Sequence, residues 1–112
     1  NLRALWLQSN SLSGSLPSQL GRLTALIYLN LNGNDLDGSV PSQLGNLPAL
    51  AQLRLDDNSL GGSLPSQLGR LNPATTCNIG GTNSYDCPNP TLSRNCRNGL
   101  TCSYLPPSPP PP

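Results

Sequence analysis

The sequence contains no His, Lys, Glu, Met or Phe among its 112 residues. Without histidine, neither a Ser-His-Asp triad nor a histidine metal site nor a histidine general base can be built. The charged residues are six Arg and five Asp, with a formal net charge of +1. This balance gives no basic surface that could neutralise phosphates, which argues against nucleic acid and anionic membranes as partners. We therefore expect no enzyme activity, no cofactor and uncharged partners.

Long apolar runs are also absent, because no segment approaches the roughly 20 apolar residues of a membrane span. The first residues carry no signal-peptide pattern, so we expect that the chain begins after processing or is a fragment. A chain of 112 residues accommodates one small domain and at most a tail.

An internal repeat with a period of 24 residues fills the first part of the chain. The pentapeptide Pro-Ser-Gln-Leu-Gly begins at residues 17, 41 and 65, and a Leu-x-Leu pair begins at residues 5, 29 and 53. Alternate side chains of a strand point to opposite faces, so both leucines of each pair are predicted to point inward. One such coil buries too little apolar surface to fold alone, so the coils must stack.

This pattern, with its added x-x-G-x-L-P stretch, resembles the plant-type leucine-rich repeat proteins. The resemblance implies an α/β solenoid of three 24-residue coils over residues 1–73, followed by a degenerate fourth coil. The Asn after each Leu-x-Leu pair is predicted to turn inward and to bond backbone groups of adjacent coils. We call this set the Asn ladder: Asn10, Asn34, Asn58 and Asn83. Ser-Gln-Leu-Gly after each Pro is expected to form a short helical turn.

The fourth coil and the cap of the solenoid are predicted over residues 74–103. Continuing the period places Cys77 at the position of Leu53, and a one-residue insertion brings Asn83 to the ladder and Tyr85 to the next apolar position. An even, clustered set of cysteines in a loop-rich segment indicates disulfides and a secreted protein: Cys77, Cys87, Cys96 and Cys102. Three pairings are open, of which we favour Cys77 with Cys96 and Cys87 with Cys102. The spacing of the cysteines does not match a zinc site.

The other end has no cap in the sequence, because Asn1 and Leu2 enter the repeat in the middle. Either further repeats precede them or a second subunit covers this end, so self-association is one expected partnership.

A proline-rich tail occupies residues 104–112, and its composition predicts polyproline II. Ser-Pro-Pro-Pro-Pro resembles the module of extensins and related hydroxyproline-rich wall glycoproteins of plants and green algae. The resemblance implies hydroxylated, glycosylated positions at Pro106, Pro107, Ser108, Pro109, Pro110, Pro111 and Pro112. A plain linker, or a ligand of proline-recognising domains, is the alternative.

The outward positions of the strands form columns on the concave face, which leucine-rich repeat proteins use for binding. The candidate binding residues are Trp6, Tyr28, Asn30, Asn32, Gln52, Arg54 and Asp56. Aromatic rings that stack on sugars, beside amides that bond hydroxyls, suit a polysaccharide. The alternative is that these are ordinary surface residues.

Metal binding and N-glycosylation are not expected. Asp56 with Asp57, and Asp35 with Asp37, do not offer the six oxygens that calcium requires. Asn89-Pro90-Thr91 is excluded as a glycan acceptor by its proline. The sequence thus favours a structural extracellular glycoprotein of a cell wall, matrix or fibre, with a protein or polysaccharide partner. The alternative is a ligand-recognition ectodomain, as in receptors or inhibitors of wall-degrading enzymes.

Overall fold

The computed structural model describes residues 1–86, 92, 96 and 100. Their elements follow one another as strand, strand and short 3-10 helix in each of the first three coils. The strands and helices are β1 (Ala4–Trp6), β2 (Ser13–Ser15), η1 (Ser18–Arg22), β3 (Tyr28–Asn30), β4 (Asp35–Gly38), η2 (Ser42–Asn46), β5 (Gln52–Arg54), β6 (Ser59–Leu60), η3 (Ser66–Arg70) and β7 (Thr76–Asn78). The leucine-rich repeat solenoid predicted from the sequence is confirmed.

The main sheet has the strand order β1-β3-β5-β7, and all its strands are parallel. Its register follows the 24-residue period: Leu5 pairs with Leu29, Leu29 with Leu53, and Leu53 with Cys77. The Leu-x-Leu alternation forms these short strands because one face enters the core while the residue between the leucines faces outward. Cys77 therefore replaces a core leucine in the fourth coil.

A second parallel sheet, with strand order β2-β4-β6, lies after the Asn turn and was not predicted from the sequence. The fourth coil continues its pairing, since Ser84 N donates to Leu60 O at 3.0 Å and Asp86 N donates to Gly62 O at 2.9 Å. The glycine of each x-x-G-x-L-P stretch adopts a positive φ here, 88° at Gly14 and 76° at Gly38. Glycine populates this region without strain, which explains its recurrence.

The return path of each coil begins at a proline and continues as a 3-10 helix. Pro17, Pro41 and Pro65 precede the helices in extended conformation. The helices of adjacent coils pack tightly at their glycines: a Cβ added at Gly21 would lie 2.7 Å from Gln43 O, and one added at Gly45 would collide with Gln67 O. Only glycine permits this approach without displacing backbone.

The core is a continuous column of leucines from the second coil to the fourth. Its fully buried side chains include Leu29, Leu53, Leu55, Leu68, Ile79 and Tyr85. Tyr85 takes the position that Leu36 and Leu60 hold in earlier coils, and its hydroxyl donates to Ile79 O. This arrangement gives the main sheet a rigid support, on which the outward side chains are fixed.

Candidate functional site

The outward face of the main sheet carries two columns of side chains, which we call the concave face. The register aligns Ala4, Tyr28, Gln52 and Thr76 in one column, and Trp6, Asn30, Arg54 and Asn78 in the next. All seven candidate binding residues lie on or directly after these strands. The structure thus brings together the residues that the sequence singled out, from Trp6 at one end to Asp56 at the other.

An aromatic pair occupies the first two coils of the concave face. The side chains of Trp6 and Tyr28 are 59% and 39% exposed. Their ring centroids lie 5.7 Å apart, and the ring planes are tilted by 50°. Aromatic rings in a tilted contact stabilise each other while each leaves one face open to solvent. Two large exposed rings on a fixed scaffold are a suitable contact surface for a ligand.

The centre of the concave face consists of amides that are incompletely hydrogen bonded. Asn30 Nδ2 donates to Gln52 Oε1 at 2.8 Å, which joins the two columns. Among the described residues, the buried oxygens Asn30 Oδ1 and Asn32 Oδ1 accept no hydrogen bond. An unpaired buried acceptor costs about 1–3 kcal/mol, which a donor brought by a ligand could recover.

In the third coil, Arg54 and Asp56 form an ion pair on the concave face, so neither charge is left unpaired. Arg54 Nε donates to Asp56 Oδ1 at 3.1 Å, and Arg54 Nη2 donates to Asp56 Oδ2 at 2.8 Å. The hydrogen bonds that Arg54 donates to Asp56 raise the pKa of the guanidinium above its ordinary value. A bidentate contact of this kind fixes both side chains, so the ion pair leaves this part of the face close to neutral.

The position of Asp56 differs from the sequence expectation. It was assigned to a solvent-facing column, yet Asp56 is only 4% exposed. The reason is Arg54, two residues earlier on the same face of the chain, whose guanidinium lies against the carboxylate. The sequence signal for this ion pair was the presence of Arg54 and Asp56 two residues apart. Asp56 therefore faces Arg54 and not the solvent, and its role in binding stays a prediction.

The Asn ladder is built from hydrogen bonds that cross between coils. Asn34 Nδ2 donates to Leu7 O of the preceding coil and to Leu31 O of its own coil, both at 3.0 Å, and Asn34 Oδ1 accepts from Leu12 N at 3.1 Å. Asn58 repeats this pattern, and Asn83 accepts from Leu60 N at 2.8 Å despite the extra residue before it. Within the described part of the chain, Asn10 donates to two carbonyls of its own turn and to none of another coil.

A disulfide joins Cys77 to Cys96, which agrees with that half of the favoured pairing. Cys87 and Cys102 lie outside the described residues, and so does the predicted tail, including its seven candidate modification positions Pro106, Pro107, Ser108, Pro109, Pro110, Pro111 and Pro112. Within the described part of the chain, no three His, Cys, Asp or Glu side chains come together to hold a metal ion.

The first coil exposes apolar side chains that later coils bury. Leu7 is 37% exposed and Leu12 is 38% exposed. A hollow of about 260 Å³ opens beside them, and it is lined by Leu5, Leu7, Leu12, Leu20, Leu31 and Leu36. This surface lies where the sequence predicts a covering repeat or subunit.

The comparison with protein families gives one result for this architecture. The leucine rich repeat family model matches residues 1–60, and the chain belongs to that family. No curated protein sequence matches it at a significant level.

Three solved structures of plant proteins show the similarity of the fold. The chain is similar to the BIR3–SERK2 complex from Arabidopsis thaliana, with 36% identity over 88% of this chain and 56% of that chain, and a TM-score of 0.72. It is also similar to the ectodomain of the receptor kinase GASSHO1/SCHENGEN3 from Arabidopsis thaliana in complex with CASPARIAN STRIP INTEGRITY FACTOR 2, with 41% identity over 78% of this chain and 11% of that chain, and a TM-score of 0.71. A plant ice-binding protein is 38% identical over 76% of this chain and 27% of its own, with a TM-score of 0.67.

The chain therefore spans 56% or less of each of these three structures. No helix within the described residues is long and apolar enough to cross a membrane.

Proposed function

We propose that this chain is an extracellular, non-enzymatic recognition module that binds a peptide or protein segment on its concave face. The observation that carries the proposal is the combination on one rigid sheet of the exposed Trp6–Tyr28 pair and the unpaired oxygens of Asn30 and Asn32. The structural neighbours support this function better than that of a structural wall glycoprotein, since one of those named is a complex of two proteins and another is a receptor kinase ectodomain in complex with CASPARIAN STRIP INTEGRITY FACTOR 2.

The chemistry of the concave face suits a peptide. A peptide backbone supplies N–H donors. Asn30 Oδ1 and Asn32 Oδ1 accept no hydrogen bond from any described residue, so donors of this kind would complete their hydrogen bonding. Tyrosine and tryptophan supply large contact areas at a small cost in side-chain entropy, and they are enriched where proteins bind partners. Because Arg54 and Asp56 neutralise each other, this pair gives the concave face little preference for a charged ligand.

An extracellular location agrees with the disulfide Cys77–Cys96, because disulfides persist in oxidising compartments. The similarity to the ectodomain of a plant membrane receptor kinase points the same way.

The test is to select peptides from a random library displayed on phage, and then to map where the selected peptides protect the chain from hydrogen exchange. We expect protection of β1, β3 and β5. Tyr28→Ala and Asn30→Ala should each weaken binding about tenfold, since they remove a central contact. Asp35→Ala is the matched control, because Asp35 is exposed on the second sheet. Peptides that protect η1, η2 and η3 instead would refute the proposal.

A second candidate function, a structural glycoprotein of a wall or matrix, is favoured by the Ser-Pro-Pro-Pro-Pro sequence at residues 108–112. In this function the tail is a glycosylated rod. The ligand of the Trp6–Tyr28 pair is then a polysaccharide, and the aromatic rings stack on its sugar rings. Mass spectrometry of protein from its native source should then show steps of about 16 Da per hydroxylation and about 132 Da per pentose, confined to the tail. Unmodified prolines at 106–112 would eliminate this function.

A further inference from the structure

We propose that two columns of opposite charge, on opposite sides of the solenoid, join copies of this chain side by side. Each column binds the opposite column of a second copy. The arginine column consists of Arg22, Asn46 and Arg70, and the aspartate column consists of Asp37, Gly61 and Asp86. Neither column belongs to the concave face, so this proposal goes beyond the proposed function and does not depend on it.

The arginine column lies along the ends of the 3-10 helices. Arg22, Asn46 and Arg70 are the last residues of η1, η2 and η3, so the 24-residue repeat places them in successive coils. All three residues are exposed. Two positive charges therefore lie two coils apart, with an uncharged amide between them.

The aspartate column lies along the second sheet, and backbone hydrogen bonds establish its alignment. Gly61 N donates to Gly38 O at 2.9 Å, and Asp86 N donates to Gly62 O at 2.9 Å. Each N–H bonds the carbonyl of the residue that follows its counterpart in the preceding coil. Asp37, Gly61 and Asp86 thus occupy the same place in successive coils, despite the one-residue insertion in the fourth coil. Both aspartates are exposed, and two strand spacings place them ~10 Å apart.

The spacing of charges in the two columns is complementary. Each column has a charge, an uncharged residue and a second charge of the same sign in three successive coils. Two copies with parallel axes, shifted by one coil, therefore bring Arg22 to Asp37 and Arg70 to Asp86. A guanidinium can bind a carboxylate through two hydrogen bonds, and the long arginine side chain takes up small differences in spacing.

The charged side chains of the columns are not paired with each other within one copy. Among the described residues, the only ion pair is that of Arg54 with Asp56. In each coil the second sheet follows the concave face, whereas the end of the 3-10 helix precedes the next strand of that face, so the columns lie on opposite sides. One copy can therefore contact a neighbour on each side, and contacts of this head-to-tail kind form open rows.

The strength of the contact should depend on salt. Exposed ion pairs contribute little each, so association is expected at high chain concentration and not in dilute solution. The Debye length is about 30 Å at 0.01 M ionic strength and about 3 Å at 1 M, which screens exposed charges from each other at the higher value.

The experiment is sedimentation velocity of the full chain over a range of concentrations, at about 0.01 M and about 1 M ionic strength. Two double variants reverse the charge of one column each: Arg22→Asp with Arg70→Asp, and Asp37→Arg with Asp86→Arg. The control is Arg3→Asp, because Arg3 is exposed and lies before β1, outside both columns. Thermal denaturation checks that the variants fold, as expected for exposed positions.

At low ionic strength we expect the sedimentation coefficient of the unchanged chain to rise with concentration, and at high ionic strength this rise should disappear. Each double variant alone should associate about tenfold more weakly, because its two columns then carry the same charge. An equimolar mixture of the two double variants should associate like the unchanged chain, since each supplies the charges that the other has lost. Arg3→Asp should leave the association unchanged.

Three results would overturn the proposal: an unchanged chain that stays monomeric at low ionic strength, a mixture that stays monomeric, or an equal loss of association in Arg3→Asp. A rise that persists at high ionic strength would overturn it as well, because apolar contacts would then join the copies. Library peptides that protect the concave face would leave the proposed function standing in every case.

Discussion

The first and third coils carry nearly the same residues but differ in what those residues do. Leu7 and Leu55 hold the same place in the repeat, yet Leu7 is 37% exposed and Leu55 is fully buried. Leu12 and Leu60 differ in the same way. The difference arises because the third coil is covered on both sides while the first is covered on one. Burial in this solenoid is therefore a property of neighbouring coils and not of the repeat itself.

The hydrogen bonds of Asn10 and Asn58 also depend on neighbouring coils. Asn58 donates to Leu31 O in the preceding coil and accepts from Leu36 N, whereas Asn10 donates only to Leu7 O and Gln8 O. An asparagine in this position joins two coils only when a preceding coil exists. The comparison predicts that matched substitutions in the two coils differ sharply in their cost.

The largest difference is expected in the Asn ladder. Asn58→Leu removes a buried amide and leaves Leu36 N, Leu31 O and Leu55 O without this partner. Leu31 O and Leu55 O each keep an amide donor, from Asn34 and Asn83. At about 1–3 kcal/mol for the unsatisfied Leu36 N and about 1 kcal/mol for the lost bonds to the two carbonyls, unfolding should become about 3 kcal/mol easier, as measured by urea denaturation. Asn10→Leu, whose bonds are exposed and local, should cost less than about 1 kcal/mol. Equal costs would contradict the role of contacts between coils.

The apolar pair should show a smaller contrast. Leu55→Ala removes a fully buried side chain and should cost about 3 kcal/mol through lost burial and the cavity left behind. Leu7→Ala should cost about 1 kcal/mol, because part of that side chain is already exposed. Thermal denaturation of both variants measures the contrast, and a larger loss for Leu7→Ala would show that the end of the solenoid is covered in solution.

The disulfide extends the comparison to the fourth coil. Replacing both Cys77 and Cys96 with Ser opens a link with a sequence separation of 19, which should cost about 2–3 kcal/mol. Hydrogen exchange should increase first in residues 76–86, while β3 and β5 keep their protection. Uniform loosening along the solenoid would show that the disulfide stabilises all coils equally.

Replacing Tyr85 should have the smallest effect on stability, and this effect should depend on pH. Burial raises the pKa of Tyr85, because the charged phenolate is disfavoured in the core. The neutral phenol therefore contributes its stability fully below about pH 10, the ordinary tyrosine value, and this contribution is lost as the pH rises further. Tyr85→Phe should cost about 1 kcal/mol at neutral pH through the lost bond to Ile79 O.

The chain contains no lysine, so few other groups titrate in this alkaline range and complicate the measurement. Denaturation of both proteins between neutral pH and pH values above 10 tests the assignment. The advantage of the tyrosine should shrink as the pH rises above 10 and then reverse in favour of Tyr85→Phe, and a constant difference would contradict a buried phenol.

The repeat allowed much of this architecture to be predicted from the sequence. A fixed period places equivalent residues side by side, so the parallel register and Cys77 in the core column followed from counting residues. The disulfide partner of Cys77 could only be favoured, because the segment between the cysteines has no periodicity.

Two features were missed because they depend on contacts within the folded coil. The second sheet is formed by residues such as Ser13 and Asp35 that have little strand propensity, and it exists because adjacent coils hold them at pairing distance. Asp56 is buried because Arg54 covers it, although its place in the repeat indicates exposure. Such residue-specific packing is not encoded in a pattern of leucines.

The tight packing at Gly21 and Gly45 has a consequence for curvature. Hydrogen bonds hold the strands of the main sheet ~4.8 Å apart, so the bend of the solenoid is set by the spacing of the helices on its opposite side. Glycine keeps that spacing small, because any side chain would meet Gln43 or Gln67. The arc on which a bound segment must lie is consequently shallower than larger residues would make it. Two glycines far from the binding face thus help to determine whether a straight ligand can touch several coils at once.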